Sequence, residues 1–368
     1  MKESASHEEA RRAREELFAR IALKNGLVTP EQLEEARAIQ SRIEELGVSA
    51  KPLDEILLEK GFVVPEGHEK ILAHVAKISS ATQIPGYKIL AKLGQGSMGT
   101  VYRATQLSVD RPVAIKVLAP FLQRNERFVA RFLTEAKVLA KLNHPNIVQC
   151  IDVGESAGRY YLVMEYCDGP TVGEILKRGG RMAEERAINI VLQVARALDH
   201  AFSSAIIHRD IKPDNVMIIA GGTAKLCDLG LVRDLATSGN KTDTGIVMGT
   251  PNYISPEQAR GDDHLDTRTD IYSLGCTFYH MVTGSTPFRN ANPAVTMVAH
   301  INDVPQTARE RCPEVSAETS RIIEKMMRKS AVDRYQTPAT LVHDLEKLLA
   351  RVQGDEKGPV LRSRFRRR

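Results

Sequence analysis

Apolar residues recur every three or four positions through the first eighty residues of the chain, the spacing that lines one face of an amphipathic helix. The clearest run follows Thr29-Pro30, where Thr29 can cap a helix and Pro30 suits its first position, and this run ends at Gly47. The pattern predicts four helices, at about 7–24, 30–46, 52–60 and 65–79.

One short pattern occurs twice in this region, as Gly26-Leu27-Val28-Thr29-Pro30-Glu31 and as Gly61-Phe62-Val63-Val64-Pro65-Glu66. Each copy joins two helices by a Gly-hydrophobic-Pro turn. The repeat therefore predicts a small all-α bundle over residues 1–80. Residues 81–86 are predicted to form a linker.

From Tyr87 the periodicity changes to short β-like runs, and after Asp168 helical spacing dominates. This order predicts an α+β domain over 87–350, with a strand-rich small lobe, a helical large lobe and an active site between them. Strands are predicted at 87–94, 99–106, 112–118, 147–153 and 160–166, with one helix at about 124–141.

The composition is that of an ordinary soluble protein: of 368 residues, 42% are hydrophobic and 26% are charged. No stretch approaches the roughly 20 apolar residues of a membrane span, and the N-terminus lacks the apolar core of a signal peptide. The five cysteines are scattered without a CxxC pair, which argues against a zinc site or a disulfide framework. These features predict a protein of the reducing cytoplasm.

The net charge of +5 resides in the last seven residues, which hold five arginines and no acid. Two interpretations of the tail, 351–368, stay open. It is either a contact for an acidic partner such as nucleic acid or anionic lipid, or a solvated disordered end.

Four motifs that suit phosphoryl transfer follow one another along the chain. Any one of them can occur by chance, but in this order they predict transfer of the γ-phosphate of ATP. They are the glycine-rich turn 93–101, the strand lysine of Val113-Ala114-Ile115-Lys116, the loop His208-Arg209-Asp210-Ile211-Lys212-Pro213-Asp214-Asn215, and Asp228-Leu229-Gly230.

The first two motifs suit the phosphates of a nucleotide. Gly94, Gly96 and Gly99 lack side chains, so the backbone of their turn can close over phosphates. A strand follows this turn where a dinucleotide-binding fold would have a helix, which argues against that fold. Lys116 is predicted to contact the α- and β-phosphates, with Glu135 on the following helix as its partner.

The last two motifs supply the groups for transfer. Asp210 is predicted to orient the substrate hydroxyl and to take its proton. Asn215 and Asp228 are the predicted ligands of magnesium, a hard cation that prefers oxygen. Lys212 is predicted to stabilise the transferring phosphoryl group.

Over about 87–350 these motifs resemble the eukaryotic-like Ser/Thr protein kinases found in bacteria. The resemblance implies the bilobal protein kinase fold, ATP with magnesium (manganese as the alternative ion), and protein substrates that carry serine or threonine. The lysine of Asp210-Ile211-Lys212-Pro213 is the signature of the Ser/Thr type and not of the tyrosine type.

The same resemblance assigns further residues. Glu257 would pair with Arg334, Asp270 would anchor the catalytic loop, and Thr250 would belong to the substrate-binding end of the activation segment. Tyr166 would lie in the hinge that meets adenine. The implied ATP-binding positions are Leu93, Gly94, Gln95, Gly96, Ser97, Met98, Gly99, Val101, Ala114, Lys116, Met164 as gatekeeper, Glu165 and Cys167 of the hinge, and Met217.

Two positions depart from the family pattern: Leu229 replaces the usual phenylalanine, and Ser255 replaces the usual alanine. Leu229 can fill an apolar slot and Ser255 is small, so we expect little loss of function from either. Arg209 before the catalytic aspartate implies activation by an anion, and the implied autophosphorylation sites are Thr242 and Thr244.

In the helical module, the runs 26–36 and 52–61 resemble the N-terminal helical modules of type II secretion and type IV pilus assembly ATPases. Some of those modules bind a cyclic dinucleotide, but the Arg-Leu-Gly run that they use is absent. The resemblance favours a docking or regulatory module with a protein partner. A nucleotide sensor and a plain stabilising bundle stay open, as does a homodimer.

Two other functions also stay open. A pseudokinase scaffold would keep the fold and act through residues 1–80, but the five catalytic positions are intact, which argues against it. A small-molecule kinase would lack the long activation segment that ends at 250–257 and serves to dock a peptide.

Overall fold

The computed structural model describes residues 2–45, 50–80, 84–96, 98–228 and 251–356. The chain forms two compact units. The first runs to Ile89 and includes the turns Gln106–Val109 and Ser156–Arg159. Near its end the first unit is tied to one of these turns, because Leu107 N donates to Gly86 O at 2.9 Å.

The first unit contains four helices around one apolar core. The two Gly-hydrophobic-Pro turns have the same geometry: Gly26 and Gly61 have φ of +65° and +72°, and the next residue in each case donates its N–H back into the preceding helix. The helices are Lys2–Lys24 (α1), Pro30–Glu45 (α2), Leu53–Glu59 (α3) and Pro65–Ser80 (α4).

Helices α1 and α4 extend beyond their predicted bounds. The prediction began α1 near residue 7, whereas the helix begins at Lys2, and α4 continues to Ser80. Apolar periodicity marks only the face that is buried, so it misses polar turns at helix ends.

A five-stranded sheet in the order β1-β2-β3-β5-β4 forms the small lobe, and nearly all of its residues belong to the second unit. Strand β3 lies at its centre and pairs with β5 in antiparallel fashion, with Lys116 opposite Leu162. Helices Pro120–Gln123 (α5) and Glu126–Leu139 (α6) follow β3. The strands are Tyr87–Gly96 (β1), Gly99–Gln106 (β2), Arg111–Leu118 (β3), Cys150–Ser156 (β4) and Arg159–Glu165 (β5).

The predicted fourth strand is displaced along the chain. It was expected at 147–153, but β4 is Cys150–Ser156. Residues 146–148 pair instead with a strand of the large lobe: Leu226 N donates to Asn146 O at 2.8 Å and Val148 N donates to Leu226 O at 2.9 Å. Tertiary pairing therefore overrides the apolar run that suggested a longer β4.

In the described part of the large lobe, the strands are Val216–Ile218 (β6) and Ala224–Leu226 (β7), which form a two-stranded sheet, and helices make up most of the rest. None of the described helices is long and apolar enough to cross a membrane. The helices of this lobe are Val172–Gly179 (α7), Glu184–Ser203 (α8), Pro256–Arg260 (α9), Thr267–Thr283 (α10), Pro293–Asn302 (α11), Ala308–Arg311 (α12), Ala317–Met326 (α13) and Pro338–Glu356 (α14).

The last helix passes the expected end of the domain. The sequence placed a disordered tail from residue 351, whereas α14 continues to Glu356. Val352 is half-buried against the core of the large lobe, so apolar packing holds this final turn.

Candidate active site

The backbone of the catalytic loop is held by one buried carboxylate. His208 N and Arg209 N donate to Asp270 Oδ2 and Oδ1, each at 2.7 Å. Asp270 lies in the first turn of α10 and is 1% exposed. Burial raises the pKa of Asp270 to about 7, although both oxygens accept backbone hydrogen bonds. These two bonds hold Arg209 at φ +65°, a conformation that is costly for a residue other than glycine.

Asp210 is fixed by two neighbours from the same loop. Lys212 Nζ donates to Asp210 Oδ2 at 2.8 Å. Asn215 Nδ2 donates to the backbone oxygen of Asp210 at 2.8 Å and to its Oδ2 at 3.1 Å. Three of the predicted catalytic residues therefore form one hydrogen-bonded cluster within a single loop.

His208 links this loop to the strand that precedes Asp228. Asp210 N donates to His208 Nδ1 at 3.2 Å, so the ring proton lies on Nε2, which contacts Cys227 O at 3.1 Å. Burial lowers the pKa of His208 to about 4, so the ring is neutral near pH 7. No role was predicted for His208 from the sequence, where its place beside Arg209-Asp210 is the signal that could have indicated one.

Lys116 and Asp228 meet although they lie 112 positions apart: Lys116 Nζ donates to Asp228 Oδ1 at 2.6 Å. Burial alone would raise the pKa of Asp228, but the charge and hydrogen bond of Lys116 outweigh it, and the pKa is lowered. Asp228 is therefore ionised at neutral pH. The side chain of Glu135, the predicted partner of Lys116, lies outside the described part of the structure.

The glycine-rich turn needs glycine at one position for a steric reason. A Cβ on Gly99, where φ is +152°, would lie 2.0 Å from the backbone oxygen of Val117. Gly94 and Gly96 have no atom within 4 Å of the place where a Cβ would stand. The turn is therefore tight at its base and open near its tip. Ser97 lies outside the described residues.

The remaining ATP-binding positions are only partly brought together. Ala114 and Met164 are opposite each other in the β3–β5 pair. Met217 pairs with Thr171 at the edge of the large lobe. Cys167 is buried, and burial raises the pKa of its thiol to about 11. The others along the first two strands are the exposed Leu93 and Gln95 and the half-buried Met98 and Val101.

Glu257 and Arg334 form a buried ion pair, as the resemblance implies. Arg334 Nη1 and Nη2 donate to the two Glu257 oxygens at 2.7 and 2.8 Å, and Thr269 Oγ1 adds a third donor at 2.8 Å. Burial would raise the pKa of Glu257, but Arg334 outweighs it and lowers the pKa. Thr250, Thr242 and Thr244 lie outside the described residues.

Two polar residues next to Glu257 were not assigned roles from the sequence. Ser255 caps α9 in a reciprocal capping box with Gln258. Its hydroxyl accepts a hydrogen bond from Gln258 N, which the usual alanine could not do. Gln258 Nε2 also donates to Arg209 O at 3.0 Å, so the segment after residue 250 is joined to the catalytic loop.

The oxygen donors around Asp210 fit a magnesium ion. Asn215 Nδ2 is engaged with Asp210, which leaves the amide oxygen for another partner. Cys227 N donates to Asn215 O at 2.9 Å, and this bond brings Asn215 next to the residue that precedes Asp228. One amide oxygen and one ionised carboxylate are hard ligands of the kind that magnesium selects.

A family model described as protein kinase domain matches residues 87–345. A probable serine/threonine-protein kinase of Clostridium perfringens is 40% identical over 262 residues, which cover 71% of this chain and 38% of the relative. The serine/threonine-protein kinase PknB of Mycobacterium tuberculosis is 42% identical over 264 residues, which cover 70% of this chain and 42% of PknB. The chain thus spans about two fifths of the length of these curated relatives.

Solved structures match in fold. The crystal structure of the Mycobacterium tuberculosis PknI kinase domain has a TM-score of 0.59 and 26% identity to this chain. The match covers 73% of this chain and 98% of the PknI domain. The small lobe of strands and the large lobe of helices are therefore an architecture with known examples.

Proposed function

The chain belongs to the family of protein kinase domains, and on that premise we propose that it transfers the γ-phosphate of ATP to serine or threonine hydroxyls of proteins. The observation that carries the proposal is the cluster of Asp210, Lys212 and Asn215 on a backbone held by Asp270. Such a cluster supplies fixed groups for positioning and charge neutralisation, which are the main demands of phosphoryl transfer.

In this proposal each residue has one task. Asp210 accepts a hydrogen bond from the substrate hydroxyl and takes its proton. Lys212, now bonded to Asp210 at 2.8 Å, neutralises charge on the transferring group. Lys116 binds phosphate oxygens, and Asp228 holds its amine in place until the nucleotide arrives.

The turn 93–101 is proposed to bind the phosphates of the nucleotide, and Asn215 and Asp228 are proposed to bind its metal ion. The open space beside Gly94 and Gly96 leaves room for phosphates against the backbone. Asn215 and Asp228 would hold magnesium, with manganese as the alternative ion. The metal would neutralise phosphate charge when it is bound.

The second candidate is a pseudokinase scaffold. The ionised Asp228, the neutral His208 and the fixed Asp210 favour catalysis over a binding role alone. The relatives quoted above carry kinase names, and this also favours the active enzyme. The motif at 250–257 favours a protein substrate over a small molecule.

Control of the activity is proposed at two places. Thr242 and Thr244 are proposed as autophosphorylation sites, because a phosphate adds negative charge that arginine can pair. Residues 1–80 are proposed as a docking or regulatory module for a protein partner. For the Arg-rich tail, both interpretations drawn from the sequence stay open.

The test is transfer of labelled γ-phosphate from Mg-ATP to the full chain itself and to a generic basic protein. We expect label on serine and threonine that disappears in Asp210→Asn and persists in the matched surface variant Asp262→Asn. Label that survives in Asp210→Asn would contradict the proposed role of Asp210. Absence of label in a wild-type chain that binds ADP would favour the scaffold.

A further inference from the structure

One charged residue beside the active site has no part in the chemistry above. Lys225, in β7, is 9% exposed, and its Nζ donates to Glu165 Oε2 at 2.8 Å. Glu165 ends β5 of the small lobe, whereas β7 belongs to the large lobe. The ion pair therefore joins the two lobes at the hinge.

A second donor engages the same carboxylate oxygen. Gln149 N donates to Glu165 Oε2 at 3.2 Å, and Glu165 N donates back to Gln149 O at 2.9 Å. Gln149 directly follows the segment 146–148 that pairs with β7. Both donors to Glu165 are thus tied to one strand of the large lobe.

That strand is itself firmly placed. Asn146 Nδ2 donates to Ala224 O at 2.9 Å and to Gln193 Oε1 at 2.8 Å. Ala224 N donates to the same Gln193 oxygen at 2.8 Å. Strand β7 is therefore hydrogen-bonded along one edge and anchored to α8. It can hold the hinge after Glu165 and the carboxylate of Asp228 at a fixed relative position.

We propose that Lys225 is a positioning residue that holds the adenine-contacting hinge in register with Asp228. The inference rests on the proposed kinase activity. Glu165 immediately precedes Tyr166 and Cys167 of the hinge, and Asp228 lies just beyond the end of β7. The pair Lys225–Glu165, together with Gln149, is called the hinge clamp below.

The energetics favour a role in positioning over a role in stability. A half-buried ion pair gains little net free energy, because desolvation of the two charges offsets their attraction. Its hydrogen-bond geometry, in contrast, fixes the relative position of the two groups. Removal of both charges should therefore weaken nucleotide binding more than it weakens the fold, whereas Lys225→Met alone also leaves the charge of Glu165 unpaired.

The test uses the full chain with Lys225→Met, Glu165→Gln, their double variant, Lys225→Arg, and Arg351→Met as matched control. Arg351→Met breaks an exposed ion pair with Glu318, far along the chain from the hinge. Three quantities are measured for each protein: KM for ATP together with kcat, the Kd of ADP by calorimetry, and the midpoint of thermal unfolding.

We expect Lys225→Met to raise KM for ATP and Kd for ADP about tenfold, the effect of losing one charge-assisted hydrogen bond. We expect kcat to stay within about twofold of wild type, because nucleotide binding in the ground state and in the transition state is weakened equally. Lys225→Arg should restore the nucleotide affinity, and the double variant should be no worse than Lys225→Met, because both changes remove the same interaction.

Unchanged KM and Kd in Lys225→Met would overturn the proposal. So would an equal change in Arg351→Met, or additive effects of Lys225→Met and Glu165→Gln. A wild-type chain that binds ADP but transfers no phosphate would refute the proposed activity, while a weakened Kd in Lys225→Met would still support the hinge clamp.

Discussion

Replacing Asp270 with asparagine tests how far the buried carboxylate of α10 controls the catalytic loop. The change keeps the size of the side chain and replaces one carboxylate oxygen with an amide NH2 group. Asp270 accepts hydrogen bonds from His208 N and Arg209 N at 2.7 Å each. An asparagine can accept only one of them, because its amide nitrogen would face the other N–H as a second donor.

The size of the effect follows from that loss. A hydrogen bond to a charged group contributes about 1.5–3 kcal/mol. The catalytic loop is also expected to shift once it is released. The backbone conformation of Arg209, with φ +65°, costs about 1–3 kcal/mol and persists only where surrounding contacts hold it. If the free energy of one lost hydrogen bond is added to the activation free energy of the reaction, kcat decreases about 10-fold to 100-fold.

The assay is steady-state phosphorylation of a basic protein by Asp270→Asn, with Asp262→Asn as control. The side chain of Asp262 forms an exposed ion pair with Arg260 at 3.2 Å, so its loss should change little. Circular dichroism and the unfolding midpoint show whether each variant is folded. A folded Asp270→Asn protein with wild-type kcat would refute the reasoning, because the loop would then need no carboxylate.

Three further predictions concern other parts of the chain. Gly99→Ala should raise KM for ATP and lower the unfolding midpoint, since a Cβ would lie 2.0 Å from Val117 O; wild-type values for both would contradict the tight turn. Because the folded-state pKa of Glu257 is lowered from about 4.5, its ion pair stabilises the fold above that pH and the gain is lost as pH falls through the lowered value. In urea, the free energy of unfolding of Glu257→Gln should therefore be lower than that of wild type at pH 7 and should depend less on pH below 4.5. An unchanged dependence on acid pH would argue against a stabilising role of the pair. Gly61→Ala should destabilise the helical module by about 1 kcal/mol, because φ there is +72°, whereas the helical Gly354→Ala should be neutral or stabilising; equal effects in chemical unfolding would count against this argument.

The local features of the site could be predicted from the sequence. Asp210, Lys212 and Asn215 lie within six positions, so their meeting depends on one loop and not on the rest of the fold. The two Gly-hydrophobic-Pro turns were likewise readable, because glycine after a helix favours the left-handed conformation that ends it. The change of period at Tyr87 indicated the order of lobes.

Features that depend on distant pairing were missed or misplaced. Residues 147 and 148 were predicted to begin β4, but the segment 146–148 pairs with β7, which comes more than seventy positions later. Nothing in the sequence around Lys225 distinguished it from an ordinary surface lysine. Its role depends on Glu165, which the fold brings to 2.8 Å.

The sequence by itself thus determined which groups are available and how each short segment bends. Rules of capping, turn formation and periodicity act over a few residues, and they are independent of where the segment finally lies. Only the tertiary structure decided which of these segments meet, as Lys116 meets Asp228 and as α10 brings Asp270 beneath the catalytic loop. The physical reason is that burial and packing of whole lobes fix long-range contacts, and no local preference encodes them.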